Sequence, residues 1–586
     1  MKSYINKFII GGAILATSGL VSCVGDLDQL PQDSRTLTAD QFAANPREYL
    51  SGAMGKCYSG IAVSGQGGAG ASDISGLDNG LSCWSRAIFI LNEFPTDECA
   101  WIWKDAGIFD LNTNTWGTNN VNVFGTYSRL YCHIAVCNDF LRLVRNAGDF
   151  GITIGGEGET AISQKEIDQL CLEARALRGL SYFYVLDIYG NAALCWDDQQ
   201  TGDEPPATTR KALYDKVVAD LEEVAQNWDN TTAKVYGRIT RESVLALLAK
   251  YYLNAEVFTG TPEWQKCWDT CQEIIRVHDV NANHGLAKSY LSLFCANNDM
   301  FMPGGSLADQ NEILWGIPYE YQRTESYGGT SFLLLASISD QTTQQPSWYG
   351  INGQWTCMHA REQFSEKFNF SNGASLDGRT YLWLTDQSDF KISNNDFSTF
   401  KDGYVPIKFT NVRCNADGTM PLWEDPETGL PRAGVYDLNN KNNYGISASN
   451  TFADADYPVI RLAEIYLTAA EAHLRGGVGT AADALKYVNY LRDRARIEEK
   501  GFNLPAWGLT DLTLDNILDE RARELYWENN RRTDLVRFNK FTSGYTWNWK
   551  NNIPGGGDLP AHMNLFPIPS NVINSYSSAY PQNPGY

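Results

Sequence analysis

The chain has 586 residues and a net charge of −22, with 69 acidic against 47 basic side chains. So acidic a surface repels phosphate backbones and argues against nucleic-acid binding, while 43 % hydrophobic residues argue against disorder. The 17 Trp and 30 Tyr exceed the needs of a plain scaffold and suit contact with carbohydrate.

At the N-terminus, Lys2 and Lys7 precede an apolar run from Phe8 to Val21. That run is short for a bilayer span and matches a secretory leader. It ends in Leu20-Val21-Ser22-Cys23, which resembles the bacterial lipobox, where cleavage before the cysteine leaves a thiol that carries lipid. Residues 1–22 therefore read as a lipoprotein signal peptide. Residues 23–36, polar and containing Pro31, read as a tether holding the body off the membrane. No other segment is apolar for 18 residues, so no other span is expected. Twelve cysteines remain beyond Cys23. Cys267 and Cys271 share a helical face with Trp264 and Ile274, which reads as packing. Without a CxxC pair or a histidine at zinc spacing, no structural zinc is expected.

Ala39 to Tyr58 reads as a helix and the Gly/Ser-rich stretch Gly60 to Gly80 as a loop. Asn92 to Asp105 follows, NEFPTDECAWIWKD. On an extended backbone, Trp101 and Trp103 point to one face. Two indoles side by side, flanked by Asp97, Glu98 and Asp105, suit a sugar, which offers an apolar face ringed by hydroxyls. Tryptophan pairs also fill cores, and the stretch by itself leaves both readings open. Asp78 and Arg86, flanking Trp84, are placed to share the same site.

Helical periodicity predicts helices over Val121–Asn146, Glu166–Tyr189 with Gly190 as its stop, Lys211–Trp228, a segment capped by Thr240, and Pro262–His278. Paired helices with small residues at their contacts, such as Ala246, Ala249 and Ala255, have the composition of degenerate tetratricopeptide-like repeats. From Asn281 to Asp456 the periodicity fades. Strand-like pieces at Ile313–Tyr319 and Tyr404–Phe409, and ring-glycine clusters at Tyr327-Gly328-Gly329 and Gly353-Gln354-Trp355, suggest a mixed lobe. Those rings either line a site or fill the lobe. Helices are expected again from Val459, with Arg461, Glu464, Thr468, Glu471 and Arg475 as a polar face, then over Ala481–Arg496 and Leu512–Asn529. The charges from Glu520 to Arg537 read as a structural ion-pair network, with an anion site as the alternative.

At this point the chain resembles the SusD/RagB family of Bacteroidetes outer-membrane lipoproteins. The likeness rests on Tyr457 to Ala472 (YPVIRLAEIYLTAAEA), Glu520 to Leu525 (ERAREL), Arg531 to Phe538 (RRTDLVRF), Glu173 to Arg178 (EARALR), the closing Phe566-Pro567-Ile568-Pro569 and the lipobox. Asp26 and Asp28 after Cys23 resemble the family's acidic export signal. The resemblance implies a mainly α, tetratricopeptide-like fold in one domain over 37–586, with a helical scaffold at 37–280 and 457–545 and a variable lobe at 281–456. It implies a non-catalytic, lipid-anchored, cell-surface glycan-binding protein that serves a TonB-dependent, SusC-like transporter.

Within the family, Asn92 to Cys99 leading into Trp101 and Trp103 is similar to the starch-binding subgroup, as is Tyr327 to Thr330. By that likeness Trp101, Trp103, Tyr327 and Trp355 would form an aromatic arc for a starch-like α-glucan, and Asp78 and Arg86 would hydrogen-bond hydroxyls. Ala106 departs from the subgroup, standing where an amide is expected. Asp454, Asp456 and Asp299 resemble acidic positions at a structural Ca²⁺ site, with solvated turns as the alternative. Dextran or fructan remain open as ligands, as does a peptide for this family. A glycoside hydrolase using two of the acids near the tryptophans also remains open.

Overall fold

The computed structural model describes residues 43–586 except 79, 201, 282, 339–344, 386–396, 398–402, 435–450 and 578–579. The expected leader, Cys23 and the tether lie outside the described residues. Two compact units emerge, one of residues up to Ala53 with Arg142–Asp168, the other of Met54–Leu141 with Gln169–Tyr586. In the first, the Arg47 Nε donates to the Ala161 carbonyl at 2.8 Å and the Arg47 guanidinium pairs with Glu166 at 3.1 Å.

Most of the regular structure is helical. Helices form at Val121–Arg145, Gln164–Ile188, Arg210–Asn227, Arg241–Leu253 and Trp264–His278, close to the bounds the periodicity predicts. The Thr240 hydroxyl accepts from the Ser243 N–H, while the Ser243 hydroxyl answers the Thr240 N–H. Gly190 (φ +69°) follows Ile188 in the left-handed region that glycine tolerates. Arg210–Asn227 packs on Arg241–Leu253, which packs on Trp264–His278. Leu462–Gly476 lies against Trp264–His278, Ala481–Arg494 and Leu514–Leu525, so the C-terminal helices complete an array begun 200 residues earlier. Among the described residues no helix is long and apolar enough to cross a membrane.

Strands are short and come in antiparallel pairs among the described residues. Cys99–Trp101 pairs with Met358–Ala360, placing Trp101 opposite Met358. Ile313–Ile317 pairs with Tyr457–Arg461. The latter corrects an expectation, because the helix from Val459 begins at Leu462 and the residues before it form a strand. Pro458 and the β-branched Val459 and Ile460 favour the extended backbone. Tyr404–Phe409 forms no strand beyond a single bridge from Val405 to Leu384.

The expected polar face of Leu462–Gly476 is not solvated. Arg461, Glu464, Thr468 and Glu471 are buried, and the charges are cancelled in place. Arg461 pairs with Glu312 at 2.7 Å, Glu528 at 2.7 Å and Glu524 at 3.1 Å. Arg537 pairs with Glu471 at 2.7 Å and with Asp534 at 2.6 Å. The charge-rich stretch from Glu520 to Arg537 is thus an internal ion-pair network. A buried charge persists only when paired and hydrogen-bonded.

Candidate functional site: an aromatic dish

The strand Cys99–Trp101 sets the first ring, and Arg361 holds that strand in place. Its Nε donates to the Cys99 carbonyl at 3.0 Å and its Nη2 to the Asn112 carbonyl at 2.9 Å. The extended segment ends at Trp101, so the two indoles are not side by side. Trp103 meets Trp101 edge-on, centroids 5.6 Å apart and planes at 75°. Trp101 is only 1 % exposed, sealed between Phe94 and Phe332, with its Nε1 donating to Asp105 at 2.8 Å. Trp103 is 43 % exposed. The expected arc therefore loses Trp101 as a ligand-facing ring, and Trp101 becomes the wall behind Trp103.

Two other rings come from far along the chain. Trp355 lies 5.9 Å from Trp103, and Tyr327 lies 6.3 Å from Trp355, with a 40° tilt at each step. Trp355 is fastened by its N–H to the Leu335 carbonyl at 2.7 Å. Tyr327 enters the helix Gly329–Ser337 through Gly328 and Gly329. Gly329 has φ +56°, and a side chain there would run into the Tyr319 ring. The rings form the wall of an open dish of about 500 Å³, lined also by Asp78, Arg86, Asp105 and Ala106. That volume is within the range of ligand sites.

Arg86, on the helix Trp84–Asn92, is buried at the floor. Its guanidinium lies over Phe332 at 4.4 Å, Trp355 at 5.5 Å and Trp101 at 5.6 Å, and its Nη1 donates to the Tyr327 carbonyl at 2.9 Å. It thus ties Trp101, Trp355 and Tyr327 to one cation. Burial among these rings pulls its pKa below the ordinary guanidinium value. Asp78 is exposed, and its carboxylate accepts from the Gly80 N–H at 3.1 Å. Ala106 supplies no polar group. The nearby amides Asn122 and Asn120 are spent on the Ala106 and Gly107 carbonyls, at 3.0 and 2.9 Å.

Asp97 and Glu98, expected beside the indoles, are buried instead. The reason is charge pairing. Asp97 accepts from Arg531 at 2.6 and 2.8 Å and from the Tyr545 hydroxyl at 2.7 Å. Although burial opposes it, the Arg531 and Lys367 charges hold the Asp97 carboxyl well below its usual range. Burial raises the Glu98 carboxyl to about 7, and burial together with Glu98 drives Glu93 well above the usual range. The Glu93 Oε2 has no hydrogen-bond partner among the described residues.

Of the three acids expected to bind Ca²⁺, two are engaged in hydrogen bonds within the protein. Among the described residues no three His, Cys, Asp or Glu side chains are grouped to hold a metal ion. Asp456 is buried, and its oxygens accept from the Tyr319 N–H and the Tyr236 hydroxyl, both at 2.7 Å. Asp454 accepts from the Tyr321 N–H at 3.1 Å. Burial, followed by Asp299 and Asp454, raises the Asp456 carboxyl to about 8. Asp454 and Asp456 thus accept from backbone N–H groups and, for Asp456, from the Tyr236 hydroxyl.

Two rings at this site carry no mark in the sequence. Phe332, beneath Arg86, lies in a helix buried along its whole length. Phe452 sits 5.1 Å from Tyr327 and is half-buried, next to acids that draw attention for other reasons.

Residues 311–586 match the model of the SusD family. Over 100 % of both chains, the sequence is 30 % identical to "Starch-binding protein SusD" of Bacteroides thetaiotaomicron. It is 25 % identical to a SusD-like protein of Bacteroides ovatus, over 74 % of this chain and 68 % of that one. Among solved structures, a SusD superfamily protein from Parabacteroides distasonis aligns with a TM-score of 0.61 at 18 % identity, over 94 % of this chain and 100 % of that chain. Surface glycan-binding protein A from Bacteroides thetaiotaomicron, in complex with laminarihexaose, aligns with a TM-score of 0.59 at 19 % identity, over 92 % and 99 %. At such identities these structures speak for the fold.

Proposed function

The chain belongs to the SusD family, and from that premise we propose that it is a non-catalytic glycan-binding protein whose aromatic dish receives a starch-like α-glucan. The observation that carries the reading is the line of Trp103, Trp355 and Tyr327, three rings from three distant segments brought to one open concave wall. A full-length relative is named for starch binding. Rings fixed before the ligand arrives lose little entropy on binding, and successive 40° tilts suit a curved chain better than a flat one. Asp78 and Asp105 would meet hydroxyls at the rim, and Arg86 would do so from the floor.

The same wall could take another neutral glycan. A structural neighbour carries laminarihexaose, so the fold accommodates a different polysaccharide. Hydrolysis fits poorly. It needs two carboxylates flanking one bond; Asp97 and Glu98 are buried, Asp105 is bonded to the Trp101 indole N–H and Asp78 to the Gly80 N–H. We further propose that Cys23 carries lipid at the outer membrane and that captured glycan passes to a TonB-dependent, SusC-like transporter. Both readings rest on the N-terminal sequence and on family membership.

Affinity electrophoresis in gels containing starch, dextran, levan or casein tests the proposal. Retardation in starch, lost in Trp355→Ala with the circular dichroism unchanged, is the expected outcome. Retardation only in casein, or in none of the gels, would overturn it.

A further inference from the structure

A second cleft, of about 470 Å³, opens elsewhere in the larger unit and shares no lining residue with the dish. Its walls include two half-buried rings, Trp507 and Tyr545. Each is covered from one direction by a cation, Arg492 lying 5.0 Å from the Trp507 centroid and Lys367 lying 4.8 Å from that of Tyr545.

The cations suggest an anion site, yet they are already committed. Arg492 donates to the Pro505 carbonyl at 2.7 Å and to Glu520 at 2.8 Å. Arg523 donates to Glu520 at 2.7 Å and to the Lys367 carbonyl at 2.8 Å. Lys367 pairs with Asp519 at 2.9 Å and lies 3.6 Å from Asp97. An incoming anion would have to displace partners that are themselves buried or held.

Beside the exposed Glu366 carboxylate, the uncommitted groups are neutral and of both kinds. The Asn369 amide has no partner among the described residues. Gln363 uses only its carbonyl oxygen, accepting from the Asn548 N–H at 3.2 Å, and so keeps its amide donors. Asn516 uses only its NH₂ group, donating to the Asp511 carbonyl at 2.7 Å, and so keeps its acceptor. The Trp507 indole N–H is also unspent. A ligand that matches such a lining must offer flat apolar faces to rings while donating and accepting at its edge, without negative charge.

We propose that this cleft is a second saccharide site, which takes a short neutral oligosaccharide independently of the dish. It rests on the glycan reading above and extends it to two contact points, so that one long chain held at both would bind more tightly than at either.

The test uses the full chain and whichever oligosaccharide the wild type binds among maltoheptaose, laminarihexaose and an isomalto-oligosaccharide. Saturation-transfer NMR and calorimetry are run on the dish variant Trp103→Ala/Trp355→Ala, alone and combined with Trp507→Ala or Asn369→Gly. The dish variant should retain a weaker site, and adding either cleft substitution should weaken it roughly tenfold or more, the scale of one lost aromatic or polar anchor. Asn369 already has φ +50°, so glycine there spares the backbone even if Trp507→Ala perturbs its loop. If the dish variant loses all binding while the wild type binds, the second site is refuted and the glycan reading stands. Residual binding indifferent to both cleft substitutions would also refute it. A wild type that binds no saccharide would remove both.

Discussion

Trp355→Ala and Trp101→Ala should fail in opposite ways. Trp355 is half-buried at the middle of the ring line, within 6.3 Å of both Trp103 and Tyr327. Truncating a central aromatic anchor costs about 2 kcal/mol or more in binding, and about 1.4 kcal/mol is tenfold. The Kd for maltoheptaose should therefore rise roughly 30-fold, with little change in the urea unfolding midpoint. Trp101 is 1 % exposed and packs on Phe94, Phe332 and Trp103. Its removal leaves a core cavity, at a cost of about 3–5 kcal/mol, and strips Asp105 of the indole N–H it accepts from. That variant should lose stability first, with affinity reduced only as the wall behind Trp103 loosens. Calorimetry and urea titration on the same preparations separate the two effects. The reasoning is refuted if Trp355→Ala binds within twofold of wild type. It is equally refuted if Trp101→Ala keeps its midpoint while losing affinity as Trp355→Ala does, because Trp101 would then be a contact ring.

Arg461→Met removes a buried guanidinium shared by Glu312, Glu524 and Glu528 and leaves them with only Arg494, Arg379 and Lys408, so the variant should lose about 3–5 kcal/mol. Urea denaturation should show this as a lower midpoint, while any folded fraction retains glycan affinity. For Glu98 the sign follows from its folded pKa of about 7, raised by burial above an unfolded value near 4.3. Its stabilising proton is fully present below the unfolded pKa and is lost as pH rises through about 7. Glu98→Gln, which cannot ionise, should therefore gain on wild type between pH 5 and 7 by up to about 1.4 kcal/mol per pH unit. Parallel stability curves for the two proteins across that range would contradict a protonated pair at Glu93 and Glu98.

The helices were legible because their signals are local. The spacing of apolar residues in Gln164–Ile188, the Thr240 cap and the stop at Gly190 each act within a few residues, and the structure places those elements close to where the spacing puts them. Family membership was legible for a similar reason, since Tyr457 to Ala472 and Glu520 to Phe538 are continuous stretches. Which aromatic residues face solvent was not. Trp101 and Trp103 are equivalent by spacing, but the strand ends between them, and only the packing of Phe94 and Phe332 decides that one is sealed and the other open. The roles of the acids were equally hidden. Asp97 reads as a rim hydrogen-bond acceptor until Arg531, 434 positions away, arrives to neutralise it. Local sequence determines backbone conformation through short-range sterics and hydrogen bonding. Exposure and charge pairing depend on partners from distant segments, so only the tertiary structure could decide them.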